Sequence, residues 1–206
     1  MQVHLYKNDL PDNVTFSGDL AIDTETMGLN FNRDRLCCVQ ISDGNGDAHI
    51  VHFTEPNYSA PNLKKVLSNE NRAFIFHYAR FDVATIYKYL GVLIKNLYCT
   101  KIASKLARTY TESHSLKELC REILNINISK QQQSSYWGNE NLTDEQISYA
   151  AADVLYLHKL RSHLKKMLAK EKRTKLANDC FRCVPTMALL DLQSFNGHEI
   201  FAVKSS

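Results

Sequence analysis

An α/β fold, with a mixed central sheet followed by helices packed around it, is what this sequence predicts, and three observations predict it. The first half alternates short apolar runs with turn-forming stretches, whereas the second half has helical periodicity throughout. The length of 206 residues suits one domain with one core. Only 7 Gly and 4 Pro argue against a turn-rich all-β chain.

Taken in order, Leu20 to Thr24 is an apolar run ending in an acidic cluster, the pattern of a buried strand. Leu36 to Ser42 is a second strand candidate, followed by the turn former Asp43-Gly44-Asn45-Gly46-Asp47. Ala48 to Phe53 then alternates polar and apolar residues, which makes the pair a hairpin. Ala73 to Phe76 is a short apolar strand that gives way to a helical pattern over Phe81 to Leu90, closed by Gly91 at the C′ position. Past residue 100 the capping-box spacings Ser115/Glu118 and Thr143/Gln146 each mark a helix start. The second opens a long helical segment through Ile147, Ala150, Ala151, Val154, Leu155, Leu157 and Leu160. Gln131 to Ser135 reads as a polar surface loop. No repeat or linker interrupts the chain, so residues 1–206 are expected to form a single domain, with a core at about 18–165 and a helical tail at 166–206.

Composition narrows the function classes. Hydrophobic residues at 44% and charged residues at 23% exclude a disordered chain. No apolar run is long enough to span a membrane, and the N-terminus has no signal-peptide pattern, so no membrane partner and a cytoplasmic location are expected. The cysteines at 37, 38, 99, 120, 180 and 183 are then expected to be buried, reduced thiols. The Cys180–Cys183 pair has no further ligands at zinc spacing nearby. The net charge of +3 is unevenly spread: Lys159 to Lys175 carries eight basic residues against Glu171, leaving −4 for the remainder. That basic helix could meet nucleic-acid backbone, but a solvated face, or pairing with acids of a neighbouring subunit, is the preferred reading.

The acids are more telling. Asp23 and Glu25, two apart at a strand end, point to one side and repel unless a cation or proton joins them; the alternative is a pair of solvated loop acids. Tyr149 and Asp153, four apart, share a helix face, and the alanines between them permit close approach by another element. Asp82 falls in a first helical turn, where an acid is favourable for dipole reasons alone.

Together Asp23-Thr24-Glu25-Thr26-x-Gly28-Leu29, His77-x-Ala79-x-Phe81-Asp82 and Tyr149-Ala150-Ala151-Ala152-Asp153-Val154 resemble, in order, the three motifs of the DEDD exonuclease superfamily, tyrosine subtype. The lead-in Leu142-Thr143-x-x-Gln146-x-x-Tyr149 is similar to ribonuclease D. The resemblance covers roughly residues 18 to 165 and implies a ribonuclease H-like sheet with flanking helices. It implies phosphodiester hydrolysis with two divalent cations, Mg²⁺ or Mn²⁺, which stabilise the attacking and leaving oxygens. By the same resemblance Asp23, Glu25 and Asp153 hold the water-activating metal, Asp23 bridges to a second, and Asp82 assists through water. Tyr149 orients the attacking water, because an ordinary phenol is a poor base at neutral pH.

The short stretch after the last motif, and the tail with Leu189, Leu190, Leu192, Ile200 and Phe201, look like the nanoRNase C branch, which degrades dinucleotides and assembles into rings of dimers up to octamers. That likeness implies a short RNA substrate and a homo-oligomer; Phe195, Ile200, Phe201 and Val203 would be poorly covered in a lone small domain. Leu29 would wedge between the two bases, or else fill the turn's core. Thr24, Thr26, Met27 and Gly28 complete the expected substrate contacts of the first motif. His77 and Arg80 are set for a phosphate or sugar contact, or for a capped helix start. Lys130, Gln133, Ser134 and Ser135 are the polar candidates for gripping a 5′ phosphate. Tyr136 and Trp137 read as packing residues rather than base-stacking ones. The alternatives are ribonuclease D-like processing of structured RNA ends and a general RNA or DNA exonuclease.

Overall fold

The computed structural model describes residues 2–129, 131, 132, 134–200 and 202. Six strands form one mixed sheet in the order β1-β4-β3-β2-β5-β6. They are β1 (Val3–Lys7), β2 (Leu20–Thr26), β3 (Leu36–Ser42), β4 (Ala48–His52), β5 (Phe74–Phe76) and β6 (Leu97–Cys99). Only β3 runs against the others: it is antiparallel to β2 and β4, while β1–β4, β2–β5 and β5–β6 pair in parallel. Strand β3 is buried along its whole length, as a strand covered on both faces must be. The β3–β4 turn uses Gly44 (φ 85°) and Gly46 (φ 106°), a backbone region that side chains avoid.

The helices are α1 (Pro61–Leu67), α2 (Ala79–Leu90), α3 (Thr100–Ala107), α4 (Leu116–Leu124), α5 (Asp144–Leu155), α6 (Leu157–Lys170), α7 (Thr174–Leu192) and α8 (Gly197–Ile200). Among the described residues no helix is long and apolar enough to cross a membrane. Helix α5 lies across β1 to β4, α2 packs on β2, β3 and β5, and α7 runs along α2. The mixed sheet with flanking helices and a helical C-terminal part is the architecture expected from the sequence. Gly91 closes α2 at φ 73° as read, and Thr143 with Gln146 forms a complete capping box at 3.0 and 3.2 Å.

Several expectations need correction. The sheet also takes in β1, from Val3, and β6, two strands for which the sequence pattern gives no signal. The long helical segment breaks at Tyr156: α5 serves the sheet, whereas α6 turns away to pack on α3 and α4. Only half of the Ser115/Glu118 box forms; Ser115 accepts from the Glu118 N–H, and the Glu118 carboxylate bonds Arg121 instead. The basic stretch is not one helix, because a turn with Lys172 at φ 56° separates α6 from α7. Its arginines are engaged structurally, Arg161 with Asp19 at 2.6 Å and Arg173 with the Leu106 carbonyl at 2.7 Å. All six cysteines are free, but Cys180 is half-buried and Cys183 exposed, since both lie on the outer side of α7. Trp137 is buried against Cys37, Cys38, Ile50 and Ala150 as a packing residue, whereas Tyr136 is 56% exposed.

Candidate active site

Alternation along β2 turns Asp23 and Glu25 to the face covered by α5. Ala150 and Ala151, both buried, let that helix sit close on the sheet, and Tyr149 and Asp153 share one side of it. One carboxylate oxygen from each of Asp23, Glu25 and Asp153 lies within 4.8 Å of the others, the one such group of metal-capable side chains among the described residues. Thr24, on the opposite pleat, donates to Asp82 of α2 at 2.7 Å. Asp82 is buried in the first turn of α2, where the helix dipole favours a negative charge.

The electrostatics of the group are strained by burial first and by mutual repulsion second. Asp23 is pushed well above the usual carboxylate range by burial, then by the charges of Asp82, Asp153 and Glu25. Glu25 is raised by burial, then by Asp153 and Asp82. Burial lifts Asp82 to about 7 against the opposing hydrogen bond from Thr24. Burial likewise lifts Asp153 to about 7, opposed by the hydrogen bond from Tyr149. Burial, followed by the charges of Asp153, Glu25 and Asp23, raises the Tyr149 phenol, so it is a hydrogen-bond donor at neutral pH. Like-charged carboxylates out of water call for a cation, and an all-oxygen donor set suits Mg²⁺ or Mn²⁺ rather than a thiol-preferring metal. The residues present therefore fit a divalent-cation centre.

These groups line a cleft of about 750 Å³. Its walls include Thr24, Thr26, Met27, Gly28, Leu29, His77, Ser134 and Ser135 from the sequence-based set. Thr26 donates to the Gly28 carbonyl, tightening the turn after β2. A Cβ at Gly28 would come within 2.3 Å of the Asp34 carboxylate, so this turn accepts only glycine without rearrangement. Leu29 stands 80% exposed at the rim, which removes the reading of a core residue. The Thr100 hydroxyl donates to the Phe76 carbonyl at 3.1 Å, so it accepts from His77 Nδ1 at 2.9 Å and makes Nδ1 the donor nitrogen. Ser135 accepts from the Gln146 side chain at 3.0 Å. Arg80 is not among the lining residues: its guanidinium pairs in fork geometry with Asp191 of α7. Lys130 and Gln133 lie outside the described residues, as do Phe201 and Val203 of the tail.

The cleft also holds residues that the sequence reading missed, among them Tyr78, Lys101, Ser115 and Lys117. Tyr78 starts α2 in the left-handed region (φ 71°), and Lys101 Nζ lies 3.9 Å from its ring centroid. The available signal was topological. Strands β2, β5 and β6 are parallel, so the residues that follow each of them gather at one edge of the sheet.

A model of the 3′-5′ exonuclease family matches residues 8–169. DNA polymerase I of Aquifex aeolicus is 34% identical over 149 residues, 72% of this chain and 24% of that one. Ribonuclease D of Bartonella henselae is 29% identical over 160 residues, 78% of this chain and 39% of that one. The chain thus spans less than half the length of these curated relatives. The structure of Brucella melitensis NrnC bound to pGG superposes with a TM-score of 0.94 at 47% identity, over 98% of both chains. The same protein with bound Mg²⁺ gives 0.89 at 44% identity, over 100% of this chain and 99% of that one.

Proposed function

The chain belongs to the 3′-5′ exonuclease family, and from that premise we propose that it is a metal-dependent 3′-5′ exoribonuclease of very short RNA, chiefly 5′-phosphorylated dinucleotides, which it converts to nucleoside monophosphates. The observation that carries this reading is the convergence of Asp23, Glu25 and Asp153 within 4.8 Å, with Asp82 and Tyr149 alongside in the same cleft. The similarity to an NrnC that binds pGG and Mg²⁺ supports the short substrate and the cation.

Asp23, Glu25 and Asp153 would hold one divalent cation, Asp23 would also face a second, and Asp82 would assist through water. Two cations there supply charge neutralisation at the attacking and leaving oxygens. The chain's own groups do the remainder. Tyr149, kept protonated by burial and its acidic neighbours, holds the attacking water in line. Leu29 at the rim inserts between the two bases, and the turn from Thr24 to Gly28 lies along the nucleotide. Ser134, Ser135 and His77 offer hydrogen bonds to phosphate or sugar, and Lys130 and Gln133 belong to the same proposed contact set. Arg80, committed to Asp191, contributes through α2 rather than by contact.

The catalytic core and helical tail act as a single exonuclease domain in this reading, and the chain forms a homo-oligomer, a ring of dimers up to an octamer. Phe195 (53% exposed) and Ile200 (50% exposed) support it, since both leave apolar surface for a second copy. A monomer peak in light scattering at micromolar concentration would refute the oligomer.

Turnover of two-, three- and seven-nucleotide 5′-phosphorylated RNAs, and of a DNA dinucleotide counterpart, with Mg²⁺ or Mn²⁺ tests the substrate. The RNA dinucleotide is expected to be fastest. Equal or faster turnover of the seven-mer would sink the dinucleotide assignment and leave a general exonuclease. Asp23→Ala is expected to fold and to be inactive; retained activity would overturn the metal assignment.

A further inference from the structure

We infer that Tyr78 offers its ring as a stacking surface for a nucleobase of the substrate. The inference rests on the reading of the cleft as a site for very short RNA, to which it adds a contact. Strand β5 ends at Phe76 and α2 starts at Ala79, so His77 and Tyr78 make the whole connection. Tyr78 takes the left-handed conformation in that turn (φ 71°, ψ 42°). The region is sterically costly for a residue with a side chain, and glycine or asparagine is its usual occupant. Asparagine does fill it at Asn8 and Asn125. An aromatic residue held there points to a use for its side chain.

Neither the helix nor the core supplies that use. At the position before α2 a Ser, Thr, Asp or Asn would bond the first-turn N–H groups, and Tyr78 makes no such side-chain bond. Tyr78 is 55% exposed, so it is not a core residue. It lines the cleft with Leu29, Asp82 and Tyr149. Lys101 Nζ lies against one face, 3.9 Å from the ring centroid, and steadies the ring. The other aromatic rings of the cleft wall are already committed: Phe81 stacks on Phe31 with centroids 5.2 Å apart, and the Tyr149 hydroxyl bonds Asp153. Tyr78 thus brings an open aromatic surface to the site. Every base has a π face, so stacking binds bases whatever their identity. A Leu29 placed between two bases meets their inner faces, and a ring on an outer face completes the grip.

The test is Mg²⁺-dependent turnover by the full chain of three 5′-phosphorylated RNA dinucleotides: one intact, one with the first base replaced by hydrogen, and one with the second base so replaced. Wild type, Tyr78→Asn and Tyr78→Phe are compared, with urea unfolding alongside; Tyr78→Ala stands in if the asparagine variant fails to fold. On the intact dinucleotide Tyr78→Asn is expected to raise KM ~10-fold with kcat changed less than ~2-fold. On the counterpart that lacks the stacked base, wild type and Tyr78→Asn are expected to have equal KM, since the contact is already gone. Tyr78→Phe keeps the ring and is expected to keep the wild-type KM. The urea midpoint of Tyr78→Asn is expected to be unchanged or higher, because asparagine suits the left-handed region. An unchanged KM in Tyr78→Asn overturns the inference, and so does a loss that persists in full on both counterparts, which would place the contact away from the bases. A loss in Tyr78→Phe equal to that in Tyr78→Asn overturns it in favour of the hydroxyl. A urea midpoint that falls together with the affinity overturns it in favour of packing. A wild type that turns over no RNA dinucleotide overturns the proposed function and this inference with it.

Discussion

Replacing Asp23 with asparagine is expected to make the metal-free protein more stable and to abolish its response to Mg²⁺. The reasoning starts from Asp82 and Asp153, each held near 7 by burial. A carboxyl lifted from ~4 to ~7 corresponds to about 4 kcal/mol of penalty on its charged form. The sign follows from proton linkage. A raised folded-state value means that the folded protein binds more protons than the unfolded chain between pH ~4 and ~7. Stability of the metal-free wild type therefore falls as pH rises across that window. The amide removes the charge at the position that feels all three of the other acids, while leaving the desolvation of its neighbours. Part of the penalty, about 2 kcal/mol at pH 8, is recovered; for a chain of this length that is ~4–8 °C in Tm. In the wild type Mg²⁺ at a hundred times its Kd restores about 2.7 kcal/mol. Thermal unfolding at pH 5 and pH 8, in EDTA and in Mg²⁺, reads all of these quantities. An Asp23→Asn protein that is less stable than wild type in EDTA at pH 8, or that Mg²⁺ stabilises to the same degree, would refute the reasoning.

Three further expectations concern the rim and its supports. Leu29→Ala is expected to lower kcat/KM on a dinucleotide by about 10-fold with no change in urea midpoint, because the side chain is largely exposed; a stability loss above ~1 kcal/mol would show that it packs after all. Gly28→Ala forces the Asp34 carboxylate aside and is expected to destabilise by about 1–3 kcal/mol; an unchanged midpoint in urea would contradict it. Arg80→Met breaks the half-buried pair with Asp191 and is expected to lose ~1 kcal/mol of stability with KM unchanged. A raised KM at unchanged stability would restore Arg80 to the substrate contacts.

The parts of the site legible in the sequence are those whose geometry is local. Two acids at a strand end and a tyrosine four residues before an aspartate fix their own relative directions, so Asp23 with Glu25, and Tyr149 with Asp153, could be paired on spacing alone. That the two pairs meet rests on the sheet order and on the alanine-lined contact of α5. The order of the motifs and their family resemblance supplied that step. Strands β1 and β6 were invisible because each owes its structure to a parallel neighbour: Val3–Lys7 is half-buried and pairs, among the described residues, only with β4, and Leu97–Cys99 is three residues long. Missing β6 meant missing Lys101, two residues beyond its end. The break at Tyr156 was hidden because Leu157, Leu160, Leu164 and Leu168 are all buried, so the apolar period continues while the packing partner changes.

Gln146 makes the two walls of the cleft mechanically one. Its carbonyl oxygen closes the cap of α5, while its amide nitrogen holds Ser135 Oγ at 3.0 Å and the Tyr136 carbonyl at 3.2 Å. The helix that carries Tyr149 and Asp153 and the loop that lines the cleft at Ser134 and Ser135 are thus pinned by a single buried side chain. Any outward swing of that loop has to uncap the helix or tear the amide away from it. The gape of the cleft is therefore not set by loop length or loop composition, and lengthening the segment before Ser134 would leave the catalytic end as narrow as it is now.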